Sequence, residues 1–178
     1  DPNLKRLSAL GRRQLGRWRS LFAGAFGDSK LNTEELIDNG YREARTLPLL
    51  VDLDRIRRAP WNRGVPRRYA DSTNIIFVGR ICHNKGQAKL VEVLAEMRNL
   101  CDLPLKLLLA GSVTNSDYLE IVRQRAAELG LARQVEYLGK VDESTLGGLY
   151  RSADVFVSLS EHEGFGMPLL EAMAHDVP

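Results

Sequence analysis

Two glutamates eight positions apart, Glu163 and Glu171, and two cations five apart, Arg80 and Lys85, are the side chains in this sequence best suited to chemistry on a phosphorylated ligand. Arg80 and Lys85 lie in Gly79-Arg80-Ile81-Cys82-His83-Asn84-Lys85-Gly86, where a single loop can direct both at the same oxygens. A diphosphate departing as a leaving group needs its charge neutralised. Two cations flanking it, one of them a bidentate fork, can do that without a metal. On their own, a Gly-Arg and a Lys-Gly in a loop are nearly always surface charges; it is their place ahead of the acidic pair that argues otherwise. Glu163 enters the turn Glu163-Gly164-Phe165-Gly166, which runs directly into Met167-Pro168. Two glycines one residue apart mark a turn, and proline is best tolerated in the first turn of a helix.

The elements that must position these residues follow from the flanking pattern. Asp154 to Leu159 is an apolar run with the length and β-branched content of a buried strand, so the order there is strand, glycine turn, helix. From Asn74 onward the alternation is regular. Strands are expected at 74–78, 105–110, 134–138 and 154–159, and helices at about 86–100, 116–129, 143–151 and 167–175. That order means an α/β fold with a doubly wound parallel sheet, because right-handed crossovers need a helix between neighbouring strands. Residues 3–23 have the spacing of an amphipathic helix weakened by Gly11 and Gly16, 23–29 a short strand and turn, and 32–40 a second helix. Leu47 to Asp54 is expected to be extended, and 55–73, rich in Arg, Pro and Gly, to be a linker.

Composition sets outer limits. A chain of 178 residues can bury one full core, or one core and part of another. The net charge of +2 is unevenly spread: residues 1–70 hold 15 Lys/Arg against 8 Asp/Glu, and 71–178 hold 10 against 15. A basic front half suits contact with an anionic surface such as membrane lipid, and solvated arginines on a helix explain it at least as well. Cys82 and Cys101 are isolated, which indicates neither a disulfide framework nor a zinc site, so a reducing cytoplasmic setting is expected. No apolar run approaches the roughly 20 residues that span a bilayer. The chain starts at Asp1 without a methionine and stops at Pro178 after a helix, and is read as a piece of a longer protein.

In an open parallel sheet, a strand–glycine–helix corner places free N–H groups and the positive end of a helix at the carboxyl edge of the strands, where phosphates bind. We read the 158–174 corner as one face of a nucleotide-diphosphate-sugar site. Gly164, Phe165 and Gly166 would offer backbone N–H groups. Glu171 would accept from two ribose hydroxyls, as the acid of dinucleotide-binding folds does. The competing reading of either acid is a helix-terminal or surface carboxylate.

Glu163-Gly164-Phe165-Gly166-Met167-Pro168-Leu169-Leu170-Glu171-Ala172-Met173-Ala174 resembles the E-x7-E signature of the retaining glycosyltransferases of the GT-B fold, in particular the large group 1 family. Residues 75–178 are similar to the donor-side domain of that family, and 23–54 to the last part of its acceptor-side domain and hinge. Most of the acceptor-side domain and the final strands and helices have no counterpart in the chain. The resemblance implies that Arg80 and Lys85 contact the donor pyrophosphate and that Glu163 accepts from hydroxyls of the donor sugar. It also implies that Gly79 belongs to the donor-binding set, that Gly111 lies in a turn near the nucleotide, which a plain strand-ending turn explains equally well, and that backbone groups at Lys140 and Val141 read the edge of the base. His162, beside Glu163, can reach phosphate or sugar, although a lone loop histidine is more often structural. His83 and His175 have weaker claims.

Neither a Ser/His/Asp grouping, nor a metal-ligand cluster, nor a nucleic-acid-reading module is evident. Glu163 also lacks a second carboxylate at a spacing suited to double displacement. The expectation is therefore a glycosyltransferase of the hexosyl type with a nucleotide-diphosphate sugar as substrate, no metal or other cofactor, and retention of anomeric configuration. Peripheral contact with the inner membrane face is compatible with the basic leading helix. The isolated chain should bind donor and turn over poorly. The alternative is a non-catalytic paralogue serving as a nucleotide-binding or assembly module that self-associates through its edges, against which stand the intact Arg80, Lys85, Glu163 and Glu171.

Overall fold

The computed structural model describes residues 2–161, 163 and 165–178, with side chains from Ala9 onward. Two units are present, residues 1–51 and 52–178. In the first, α1 (Pro2–Trp18) continues into a 3-10 turn at Arg19–Leu21, and β1 (Ala25–Gly27) pairs in parallel with β2 (Ala44–Thr46) across α2 (Lys30–Asp38). Ser29 caps α2 by accepting from the Asn32 N–H at 3.2 Å. No helix among the described residues is long and apolar enough to cross a membrane.

The second unit holds a four-stranded parallel sheet in the order β5-β4-β3-β6, where β3 is Thr73–Val78, β4 Leu105–Ala110, β5 Val135–Gly139 and β6 Val155–Phe156. Apolar residues fill both faces, as a sheet covered on both sides requires. On one face Ile75, Phe77, Leu107 and Leu109 pack with Leu90, Val91 and Leu94 of α5 (Gln87–Leu100) and with Tyr118, Val122 and Ala126 of α6 (Ser116–Glu128). On the other, Ile76, Leu108 and Ala110 meet Leu149 and Tyr150 of α7 (Glu143–Ser152), Ala172 of α8 (Met167–Ala174) and Tyr69.

Two expectations are corrected. The stretch 55–73 is built into the second unit: within 52–73, α3 (Leu53–Arg58) packs on α8 and α4 (Gly64–Arg68) on α7. Tyr69 is 2% exposed, and its hydroxyl donates to Glu136 at 3.1 Å, with burial foremost in pushing its pKa up to about 12. Tertiary contact overrides loop-like composition here. α7 admits the approach because it carries Gly148, where a Cβ would stand 2.8 Å from the Asn62 carbonyl oxygen and 2.9 Å from Val65 Cβ. The last strand, expected over 154–159, is only Val155–Phe156. The Val157 N–H still donates to the Ile76 carbonyl at 3.0 Å, but the Ser160 N–H then turns to the Ser158 hydroxyl at 3.4 Å, a local bond that competes with the ladder.

Asn74, 2% exposed at the start of β3, ties the bottom of the sheet together. Its side-chain amide donates to the Tyr69 carbonyl at 3.0 Å and the Ser152 carbonyl at 2.7 Å, and its oxygen accepts from the Ser72 hydroxyl at 2.7 Å. Asn74→Ala removes the donor to the Ser152 carbonyl, while the Tyr69 carbonyl keeps the Ser72 N–H at 3.3 Å, and should lower unfolding free energy by about 1–3 kcal/mol, read from urea denaturation. Gly148→Ala should cost about 1–3 kcal/mol by overpacking against residues 62–65. The same substitution at Gly11, where no atom lies within 4 Å of an added Cβ, should not destabilise the chain.

Candidate active site at the carboxyl edge of the sheet

Strand order places the candidate site. Winding from β3 proceeds one way through β4 and β5, then reverses so that β6 lies on the other side of β3. The loops after β3 and β6 therefore diverge at the carboxyl edge, and a crevice opens between them at this switch point. The first is 79–86, which holds Arg80 and Lys85; the second is 157–166, which holds Glu163.

The two loops touch. Lys85, 8% exposed as a residue, extends its ammonium to Glu163, with Nζ 2.7 Å from Oε1. The Glu161 N–H donates to the Asn84 carbonyl at 2.9 Å, and Lys89 Nζ lies 3.3 Å from Glu161 Oε1. Gly86 has φ +69°, and a Cβ there would sit 2.7 Å from the Leu159 carbonyl oxygen, so a side chain would force the loops apart. Gly111, at the end of β4, meets the β3 loop just as closely: an added Cβ would collide with the Gly79 carbonyl oxygen at 1.9 Å. Its structural duty is to let the ends of β3 and β4 lie side by side, with the Gly79 N–H donating to the Ala110 carbonyl at 2.9 Å and the Ile81 N–H to the Ser112 carbonyl at 2.9 Å.

Helix starts at this edge are of two kinds. α6 and α7 are capped by side chains: Asn115 accepts from the Tyr118 N–H at 2.9 Å and Asp142 from the Thr145 N–H at 2.8 Å. These bonds hold the Asp142 carboxyl below its usual range, the Thr145 backbone contributing most. α5 and α8 begin instead at left-handed glycines, Gly86 and Gly166, and neither has a side-chain cap. The positive ends without capping oxygens are thus the two that follow β3 and β6. Among the α5 N–H groups, that of Ala88 donates to the Tyr118 hydroxyl at 3.1 Å.

The remaining expected site residues fall at different distances from this crevice. Arg80 is exposed, and among the described residues its guanidinium has no ion pair. Its carbonyl accepts from Gln87 Nε2 at 2.8 Å. Glu171 lies on α8 and turns one oxygen to the Tyr150 hydroxyl, with Oε2 at 2.8 Å. Burial pushes its carboxyl above the usual range, and the Tyr150 bond pulls it partly back. Phe165 is half-buried and Gly166 buried. Lys140 is exposed just past β5, while the Val141 side chain packs into the core of the α7 face. Both follow a strand two places from β3, roughly 10 Å along the edge. His162 and Gly164 lie outside the described residues. His83 faces the Tyr118 ring at 4.3 Å. His175 stacks on Tyr150 at 5.4 Å, and burial, with Arg151 nearby, keeps its pKa low.

Two residues near the site escape sequence reasoning. Gln87 is fully buried and holds the Arg80 backbone, yet a glutamine after a glycine reads as solvated. Tyr150 reads as core; only its partner, 21 residues later, shows that its hydroxyl matters.

Comparison with known proteins gives the family and the fold. Residues 61–178 match the family model described as glycosyl transferases group 1. The chain is 31% identical over 170 residues, 90% of its length and 40% of the relative's, to a GDP-mannose-dependent alpha-(1-6)-phosphatidylinositol monomannoside mannosyltransferase of Mycobacterium tuberculosis. It is 36% identical over 158 residues to a D-inositol 3-phosphate glycosyltransferase of Geodermatophilus obscurus, covering 81% of this chain and 34% of that one. In fold it is similar to Anabaena HepE, whose crystal structure is in complex with UDP and glucose, with a TM-score of 0.79 at 21% identity over 94% of this chain and 46% of that one. The chain spans between 24% and 41% of the length of curated relatives such as these. With a family match over more than half its residues and relatives aligned across nearly all of it, this chain belongs to the group 1 glycosyltransferases and has their GT-B type α/β fold.

Proposed function

We propose that residues 52–178 form the donor site of a retaining glycosyltransferase that moves a hexose from a nucleotide diphosphate to an acceptor bound elsewhere in the full-length protein. The observation that carries this reading is the Lys85–Glu163 pair, 2.7 Å apart, which joins the two loops of the switch point. It holds a cation and a sugar-binding carboxylate against one another where a diphosphate and its sugar would meet. The GDP-mannose dependence of the mycobacterial relative supports a nucleotide-diphosphate hexose as donor.

In this reading the diphosphate lies along the loop after β3. Arg80 supplies a bidentate fork and Lys85 a point charge, and these neutralise the leaving group without a metal. Glu163, oriented by Lys85, accepts from hydroxyls of the sugar. Glu171 accepts from the ribose, and the backbone at Lys140 and Val141 meets the base. The anomeric carbon–phosphate oxygen bond breaks as the bond from that carbon to the acceptor oxygen forms on the same face. The acceptor proton passes to the departing phosphate. Closure of the acceptor side over the donor excludes water, so the present chain binds donor and transfers poorly. The setting is cytoplasmic.

Calorimetry of the chain in a chelator, against UDP-, GDP- and ADP-sugars, should show binding of at least one of them. Arg80→Ala should weaken it by about 10- to 100-fold, the worth of a lost charged hydrogen-bond pair. Glu163→Gln should weaken the nucleotide sugar more than the bare nucleotide diphosphate, since Glu163 meets the sugar. A folded chain blind to the whole panel would overturn the donor-site reading.

A further inference from the structure

Glu171 is a half-buried acid on a short helix, and something must decide where its carboxylate points. α8 itself does not: a glutamate side chain has three rotatable bonds, and no basic group is paired with Glu171 among the described residues. The group that meets it comes from the neighbouring helix. Tyr150, 1% exposed on α7, brings its hydroxyl to 2.8 Å from Glu171 Oε2. The same hydroxyl lies 3.2 Å from the Pro168 carbonyl oxygen in the first turn of α8. It has one proton to give, and the charged, nearer oxygen takes it.

We propose that Tyr150 is a positioning residue for Glu171, fixing its carboxylate so that the remaining lone pairs accept both ribose hydroxyls of a bound nucleoside diphosphate. This rests on the donor-site reading given above. The direction of the bond is settled by chemistry: burial first, and then the charge of Glu171, push the phenol pKa far up, so Tyr150 stays protonated and Glu171 is the acceptor. The phenol is itself held in place. Its ring is buried against the α7 face of the sheet, and His175 stacks on it at 5.4 Å and 29°. One oxygen of Glu171 is thereby anchored on the protein side. A carboxylate has about four lone-pair sites, so at least two remain for a vicinal diol. With the hydroxyl gone, the carboxylate would sample other rotamers, and binding the diol would have to order it again.

The test is calorimetric, on the full chain, with UDP and GDP each compared with its 2′,3′-dideoxy analogue. The unaltered chain should favour the ribose form. Tyr150→Phe, which removes one oxygen and keeps the ring, should weaken the ribonucleotide about tenfold and leave the dideoxy analogue unchanged. In a Glu171→Gln background the same substitution should have no effect on that selectivity. Fluorotyrosine placed at position 150 gives a readout that does not depend on the Phe variant folding: its fluorine resonance should move on adding the ribonucleotide and stay still with the dideoxy form. Equal weakening of both ligands, unchanged selectivity, or a fluorine signal indifferent to the ribose would overturn the role of Tyr150 and leave the donor site standing. An unaltered chain that binds none of the four nucleotides would overturn both.

Discussion

The contact between the loops after β3 and β6 is what the rest of the site depends on. Parallel strands splay at a switch point, and nothing in the sheet itself draws two neighbouring loops together there. Here three interactions do so at different depths. Gly86 lets backbone meet backbone at Leu159, the Glu161 N–H bonds the Asn84 carbonyl at 2.9 Å, and Lys85 reaches Glu163 at 2.7 Å. The first two are short-range and apolar or neutral in character, and they set the spacing. Lys85, with its side chain only 10% exposed, then has little water to compete with its carboxylate partner. Exposed ion pairs elsewhere in the chain, such as Arg58 with Asp54 at 3.8 Å, have no comparable burial and contribute little.

Polarity at this edge is arranged by what the helices lack as much as by what they carry. Asn115 and Asp142 satisfy the starts of α6 and α7, as an ordinary helix requires. α5 and α8 give up that stabilisation for glycine, and a glycine cap presents no oxygen to an incoming anion. Both glycines also serve packing, since Gly86 abuts Leu159 and Gly166 starts α8 from a left-handed turn. One residue choice therefore satisfies a steric need and an electrostatic one, and the two helices that make it are those flanking the switch point.

Much of this was legible in the sequence because local pattern and fold agree there. The runs 74–78 and 105–110 are strands as written, and Met167-Pro168 does open a helix. What stayed hidden depends on partners distant in sequence. Residues 55–73 have the composition of a loop, and α3 and α4, of 6 and 5 residues, are too short to announce themselves by periodicity. They are held by contacts such as Arg57 Nε to the Ala174 carbonyl at 3.0 Å, 117 residues away. The length of β6 was overestimated because an apolar run does not reveal that Ser158 will take the Ser160 N–H. At the site, the type and order of Arg80, Lys85, Glu163 and Glu171 could be read, but not the pairing of Lys85 with Glu163 or of Tyr150 with Glu171.

The arginines of the front half illustrate why charge counts mislead. An excess of positive charge suggests an anionic partner, yet Arg57 of this stretch is spent on a helix end within the second unit, where Arg151 from the back half joins it. Arg57 donates to the Ala174 carbonyl at the end of α8 and to Asp176 at 2.6 Å. Arg151, at the end of α7, donates to the Arg57 carbonyl at 2.8 Å and stacks over Trp61 at 4.9 Å. Cations at helix C-termini are favourable because the carbonyls there are unpaired and the helix dipole is negative. These bonds join α3, α7 and α8 at their lower ends. Tyr150 lies in the same last turn of α7 as Arg151, and Glu171 in the middle of α8, and their mutual placement needs the two helices to hold a fixed separation. The arginine-rich stretch that reads as a linker thus acts as a brace on the pair of helices that present the acid.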